Sequence, residues 1–291
     1  MRCRASVVLL ILFAWPFSTG AGTDPQKAFD PEALPVAFPG AQEADEASLV
    51  ADIRHKLPPH MSVLSRGNFV IAAPGSAEEA ILQGKQIADY DAQIRRRSFP
   101  RLERRRMLVI LGDDTSGLER LIEIVYPVFP ASETPPSGFY HPKDRLILTT
   151  TVAGYGALVR ELTRALVQDD NPNAPHWFEE AMVTLYESSD WRVDRLTPVL
   201  DRRMELISPD EDLAYDIFAG ICDCSEVSAE QLALMRLLLI FLDERDELMA
   251  LHEAIKEQGR YTTLLQALDA MDFDRVAWKE FAEHSVRAYS R

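Results

Sequence analysis

Two short clusters of ionisable side chains stand close together in the middle of the 291-residue chain: Arg160-Glu161-Leu162-Thr163-Arg164 and Trp177-Phe178-Glu179-Glu180-Ala181. Their types limit what they can do. A carboxylate such as Glu161 or Glu180 can accept a proton or ligate a metal. A guanidinium has five donors, no acceptor and stays protonated at any workable pH, so Arg160 and Arg164 can pair with carboxylates but cannot ligate zinc. His176 and Glu180 are four residues apart and share a helix face, and His141 is expected in the loop just after a Gly138-Phe139-Tyr140 strand. With Glu161, these could in principle supply three metal ligands. A histidine at a helix start beside Trp177 is, however, more commonly a capping or packing residue. His55, His60, His252 and His284 have no partner at ligand spacing.

The apolar spacing around these clusters predicts two consecutive helices. Tyr155, Leu158, Val159, Leu162, Ala165 and Leu166 recur at the helical period and define one buried face, with Arg160 and Arg164 projecting together on the other side. The second helix starts near Pro175, a residue suited to a first helical position, and buries Phe178, Ala181, Met182 and Leu185. That places Glu180 on the side shared with Trp177 and Thr184. Two strands precede the helices, Gly138-Phe139-Tyr140 and Arg145-Leu146-Ile147-Leu148-Thr149.

This order of strands and helices, with the two clusters, resembles the peptidase MA-like, or gluzincin-type, zinc metallopeptidase domain, and the resemblance covers about residues 60 to 290. An active member of that family carries H-E-x-x-H on the first helix and a third zinc ligand, a Glu within W-x-x-E-G, on the next. Here Arg160 and Arg164 stand at both histidine positions, Glu161 at the general-base position and Glu180 at the third-ligand position, with Ala181 where the family usually has Gly. The resemblance implies an α+β fold: a small N-terminal mixed sheet with helices, a zincin-like active-site helix, then an α-helical subdomain. It also implies a cleft lined by Arg160, Glu161, Arg164, Trp177 and Glu180, with His176 and His141 as further candidates. No zinc and no other cofactor is expected, because arginine cannot replace a histidine ligand. The two arginines are expected to pair with Glu180 across the cleft, two positive charges against the two negative charges of Glu161 and Glu180.

The rest of the chain sets compartment and partners. Arg2 and Arg4, the apolar run Val7 to Phe17 and the small residues near Gly20 read as a signal peptide over residues 1–21. The expectation is export, to the periplasm or the medium, with no membrane span after cleavage. Loss of that segment removes two of the 31 basic side chains and none of the 46 acids, for a formal charge of −17. Such a charge opposes nucleic acid and anionic membrane as partners. Cys222 and Cys224 then remain, a C-x-C pair too close for an ordinary disulfide framework. The basic cluster Arg95-Arg96-Arg97 with Arg104-Arg105-Arg106 reads as a helix terminus whose cations complement the dipole and stay solvated, in preference to an anion or acidic-partner site.

Residues 22–59 are rich in proline and acids and are expected to be a flexible linker with one short helix from about Glu43 to Lys56. Residues 60–187 are expected to form the α+β subdomain. Its strands lie near Val63, at Phe69 to Ile71 and at Met107 to Leu111, with one helix capped by Ser76 and another capped at Asp114 or Thr115. Residues 188–291 are expected to be almost wholly helical, ending in two helices over about Arg245 to Glu257 and Asp274 to Tyr289. Trp191 to Leu206 is read as a helix, and a capping box at Ser228 and Gln231 precedes an apolar run from Leu232 to Leu242. No nucleophile elbow, phosphate loop or dinucleotide fingerprint occurs. These readings converge on an exported, catalytically inactive pseudopeptidase that binds a peptide or protein in the former active-site cleft. Two alternatives stand beside it: a metal-dependent peptidase with a rearranged site, and a non-catalytic scaffold.

Overall fold

The structure is a computed structural model that describes residues 30–128, 137–152, 154–192, 195–207, 218, 221 and 227–289. The expected signal peptide and the pair Cys222 and Cys224 lie outside the described residues. The fold is α+β, with a five-stranded mixed sheet in the N-terminal half and a helical C-terminal part. The strands are β1 (Met61–Arg66), β2 (Phe69–Pro74), β3 (Met107–Gly112), β4 (Gly138–His141) and β5 (Leu146–Thr150), in the order β1-β2-β3-β5-β4. The β2, β3 and β5 strands run parallel to one another, and β1 and β4 lie antiparallel at the two edges.

Parallel strands need long crossovers, and helices supply them on both faces. On one face lies α2 (Ala77–Ser98), opened by the Ser76–Glu79 capping box, together with α4 (Gly156–Asp170) and α5 (His176–Glu187). Ile71, Val109, Ile147 and Tyr140 of the sheet join this larger core. On the other face lie α1 (Glu46–Lys56) and α3 (Thr115–Val125), packed on Val70, Leu108, Ile110, Phe139 and Leu148. The period-two alternation of a strand thus feeds two separate cores.

The short helix expected from about Glu43 to Lys56 is α1, but the residues from 30 onward, expected as a flexible linker around it, are packed. Leu34, Phe38, Ala41, Leu49, Ile53 and Leu57 are all buried in the second core. The ladder is replaced by long-range partners. The carboxylate of Asp144, in the β4–β5 turn, accepts the backbone N–H of Ala37 and of Phe38 at 2.8 and 2.9 Å, and Lys56 Nζ donates to Ala37 O at 2.9 Å. Arg106 donates to the carbonyls of Ala41 and Ala44. Composition favours coil here, but it cannot register anchors more than a hundred residues away. The prolines stiffen the path of this strap rather than loosen it.

The C-terminal part corrects a second expectation. Residues 191–206 are not a helix but the tail of a hairpin, β6 (Ser189–Arg192) with β7 (Arg195–Pro198), followed by a 3-10 turn at Arg202–Leu206. Pro198 forbids a continuous helix, and Thr197 and Val199 favour extended backbone. Four helices complete the described chain: α6 (Ala229–Glu244), α7 (Leu248–Gln258), α8 (Leu264–Ala270) and α9 (Arg275–Tyr289). As the apolar run predicts, α6 is buried almost all round and opens with the Ser228–Gln231 capping box. The α8 helix was missed by spacing, although Thr263 and Gln266 form the same capping box. No described helix is long and apolar enough to cross a membrane.

Candidate functional site

The α4 helix presents its apolar side to the sheet and its charged side to α5, as its periodicity predicts. Leu158, Leu162, Ala165 and Leu166 are fully buried. Glu161 is buried as well, which its position between two arginines does not announce. The α5 helix buries Phe178, Ala181, Met182 and Leu185 against the same core. Glu179 and Glu180 thereby face α4.

One guanidinium collects the carboxylates of both helices. Arg164 donates from Nη1 to Glu161 Oε2 at 2.6 Å, from Nη2 to Glu180 Oε1 at 2.6 Å and from Nε to Glu179 Oε1 at 2.8 Å. Arg160 donates from Nε to the other oxygen of Glu161 at 2.9 Å and from Nη2 to Ser137 Oγ at 2.8 Å. Glu161 also accepts the backbone N–H of Tyr140, on edge strand β4, at 3.0 Å. The cluster therefore ties α4, α5 and the β4 edge together. Glu179 is the residue that spacing missed. Its presence turns the expected balance of two against two into two guanidinium groups against three carboxylates, and Arg164, not Arg160, makes the pairing with Glu180.

Protonation follows from the packing. Burial alone would lower the pKa of Arg164, but Glu161, Glu180 and Glu179 outweigh it and hold the guanidinium well above its ordinary value. Burial raises the Glu179 carboxyl, against the opposing pull of Arg164 and a hydrogen bond from Gln168. Glu161 accepts three hydrogen bonds, one at Oε1 from Arg160 and two at Oε2 from Arg164 and the Tyr140 amide.

The cluster forms the floor of a cleft of about 930 Å³, bounded by β4, the β4–β5 turn, α4 and the start of α5. Arg145 and Asp169 pair with each other in its wall. Arg145 sits in the left-handed region at φ 50°, held there by that pair and by its bond to Arg106 O. Gly138 opens β4 at φ 108°, where a Cβ would lie 2.0 Å from Leu148 O. This edge strand thus has a required glycine at the cleft mouth.

Of the expected cleft residues, Arg160, Glu161, Arg164, Glu180 and His176 do line the cavity. Trp177 does not. It is 1% exposed, and its indole donates to Thr262 O at 2.8 Å, because the first turn of α5 rotates it into the core. His141 is likewise buried, on the opposite face of β4, where the strand alternation sends it against Tyr126 and Asp144. It cannot join Glu161 and His176 around one ion. One other grouping remains among the described residues: His176, Glu179 and Glu180 offer ligand atoms within 4.8 Å of one another. Two of these three already bind Arg164. In the basic cluster, three arginines are engaged rather than solvated, Arg95 with Asp91, Arg97 with Asp243 and Arg106 with the strap, and Arg105 lines the cleft. Compared with protein-family models and with curated proteins, the chain matches none.

Proposed function

We propose that this chain is an exported, non-catalytic protein of gluzincin-like descent that binds a peptide or protein in the cleft between β4 and the α4–α5 pair. The observation that carries this reading is the placement of Arg164, whose guanidinium bonds to Glu161, Glu179 and Glu180 at once. Those are the carboxylates that the resemblance assigns to the general base and the third ligand, with one neighbour. The residues at the two histidine positions do not fit zinc, since neither offers a lone pair.

Without a metal the hydrolytic step loses its nucleophile. A bound ion lowers the pKa of its water from about 15.7 to about 7, which at about 1.36 kcal/mol per unit is on the order of 12 kcal/mol. Glu161, bonded to both arginines and the Tyr140 amide, is a carboxylate base that does not replace that shift. What remains is a recess of ligand-binding size beside a sheet edge, lined by fixed charges of both signs. An extended peptide is the ligand that such an edge accommodates. Because the Tyr140 amide is already taken by Glu161, side chains rather than a full backbone ladder would carry the recognition.

Selection from a displayed dodecapeptide library tests this reading. The expected result is enrichment of peptides on the native chain, with binding reduced at least about tenfold by Arg160→Glu, a loss of roughly 1.4 kcal/mol or more. Failure to enrich any peptide would favour a scaffold role. The grouping of His176, Glu179 and Glu180 favours a second reading, a rearranged metal site, which requires these carboxylates to leave Arg164. Metal stoichiometry of the purified chain separates the two.

A further inference from the structure

The strap does more than cover the second core. From its anchor at Ala37 and Phe38 it runs back around the edge of β4, and its first residues reach the cleft. Asp30, Pro31 and Glu32 line the cavity together with Tyr140, Pro142 and Arg145, and the 3-10 turn Pro31–Ala33 packs against β4. The strap therefore stands at the end of the cleft nearest the β4–β5 turn, beside the edge that an incoming peptide would follow.

Its two parts are held very differently. From Leu34 onward the strap is fixed: Leu34, Phe38 and Ala41 are buried, two amides bond to Asp144, and Lys56 lies over the Phe38 ring at 4.7 Å while donating to Ala37 O. The preceding turn buries no residue. Its bond to the rest of the fold, Lys143 Nζ to Glu32 O at 2.6 Å, is exposed. Asp30 spends its carboxylate on the turn itself, accepting from Glu32 N. Exposed contacts of this sort open easily, whereas the buried anchor opens only with the core.

We propose that residues 30–33 are a displaceable plug that closes one end of the cleft, hinged at Leu34 and pushed aside when a peptide occupies the groove along β4. This rests on the cleft being the binding site, and it assigns that site an intramolecular competitor. Bound ligand and docked plug exclude one another, so the plug sets the association rate.

Amide hydrogen exchange on the full chain tests, without any ligand, whether the turn is held as loosely as a plug requires. The amides of Ala33 and Leu34, which bond only within the turn, should exchange within about tenfold of an unstructured chain. Those of Ala37 and Phe38 should be protected at least about a hundredfold. Equal protection of both pairs would overturn the plug. The link to binding is tested in a mature chain in which serine replaces Cys222 and Cys224, carrying Glu32→Cys and Lys143→Cys. A short bis-maleimide bridge holds the plug down, and the same chain capped with N-ethylmaleimide is the control. The probe is a fluorescein-labelled dodecapeptide enriched on a chain beginning at Leu34. Bridging should slow its association at least tenfold, and deletion of residues 30–33 should speed it severalfold. Unchanged rates in the bridged chain would overturn the plug while leaving the cleft as the site. If no dodecapeptide is enriched on either chain, the binding reading fails, and exchange alone decides whether the turn opens.

Discussion

Strand β4 is gripped by charge on both faces, and the two grips are inverse in design. On the cleft face one guanidinium, Arg164, collects three carboxylates. On the other face one carboxylate, Asp144, collects the amides of Ala37 and Phe38 and the hydroxyl of Tyr126, with His141 Nδ1 2.8 Å away. The Asp144 and His141 side chains are wholly buried, and two of the partners of Asp144 hold the strap, while His141 Nε2 has no hydrogen-bond partner among the described residues. The Arg164 grip is partly open: its side chain is 19% exposed, and the cluster keeps one carboxylate more than its guanidinium groups balance. A closed network serves architecture, and an open one with surplus charge leaves room for a ligand.

The largest effect should come from breaking the cleft grip. Arg164→Met removes the shared cation and leaves Glu161, 1% exposed at its side chain, with Arg160 and the Tyr140 amide. A buried pair broken on one side costs about 3–5 kcal/mol. Urea denaturation should register a loss of that order, and a change under about 1 kcal/mol would mean that the carboxylates find other partners.

Breaking the opposite grip should cost less. Asp144→Asn keeps the shape but removes the charge from bonds worth about 1.5–3 kcal/mol each when charge-assisted, and part of that is retained by the amide oxygen. This grip also carries a pH signature that the Arg164 guanidinium lacks. Burial would raise the Asp144 carboxyl, but His141, the two strap amides and Tyr126 outweigh it and hold the pKa below the ordinary value. A depressed carboxylate contributes stability that is fully present above the unfolded-state value of about 4 and is lost as pH falls through the folded one. Acid titration of the native chain should therefore weaken the protection of Ala37 and Phe38 below about pH 4, and Asp144→Asn should flatten that dependence.

The smallest effect is expected at Arg160. Its side chain is 28% exposed, and it shares Glu161 with Arg164, so Arg160→Met should cost about 1 kcal/mol or less. A loss as large as that of Arg164→Met would erase the asymmetry between the two arginines.

That asymmetry marks where sequence reading stops. Spacing places Arg160 and Arg164 on one helix face and Glu180 on the next helix, and the structure brings all three to one cleft. Spacing does not say which arginine reaches across. That depends on the distance between α4 and α5 at each turn, a tertiary quantity. Glu179 was passed over because it precedes the position that carries the family pattern. Trp177 was misplaced because the apolar face of α5 is wider than the four-residue stripe, taking in Trp177, Val183 and Tyr186 as well. The capping boxes at Ser76 and Ser228 were readable because their partners lie three residues away. The strap was not, because its partner, Asp144, lies 106 residues from Phe38.

The central claim is that two guanidinium groups stand where a metal and its ligands would otherwise meet Glu161 and Glu180. Its most direct test is zinc affinity, measured by calorimetry on chelator-treated protein, for the native chain and for the Arg160→His/Arg164→His double variant, with circular dichroism confirming that both are folded. The account predicts no zinc binding by the native chain and stoichiometric binding by the double variant, since two substitutions can restore only a site whose frame is already built. Tight zinc binding by the native chain would contradict it and make the grouping of His176, Glu179 and Glu180 the site to pursue. A folded double variant that ignores zinc would contradict the positional match itself.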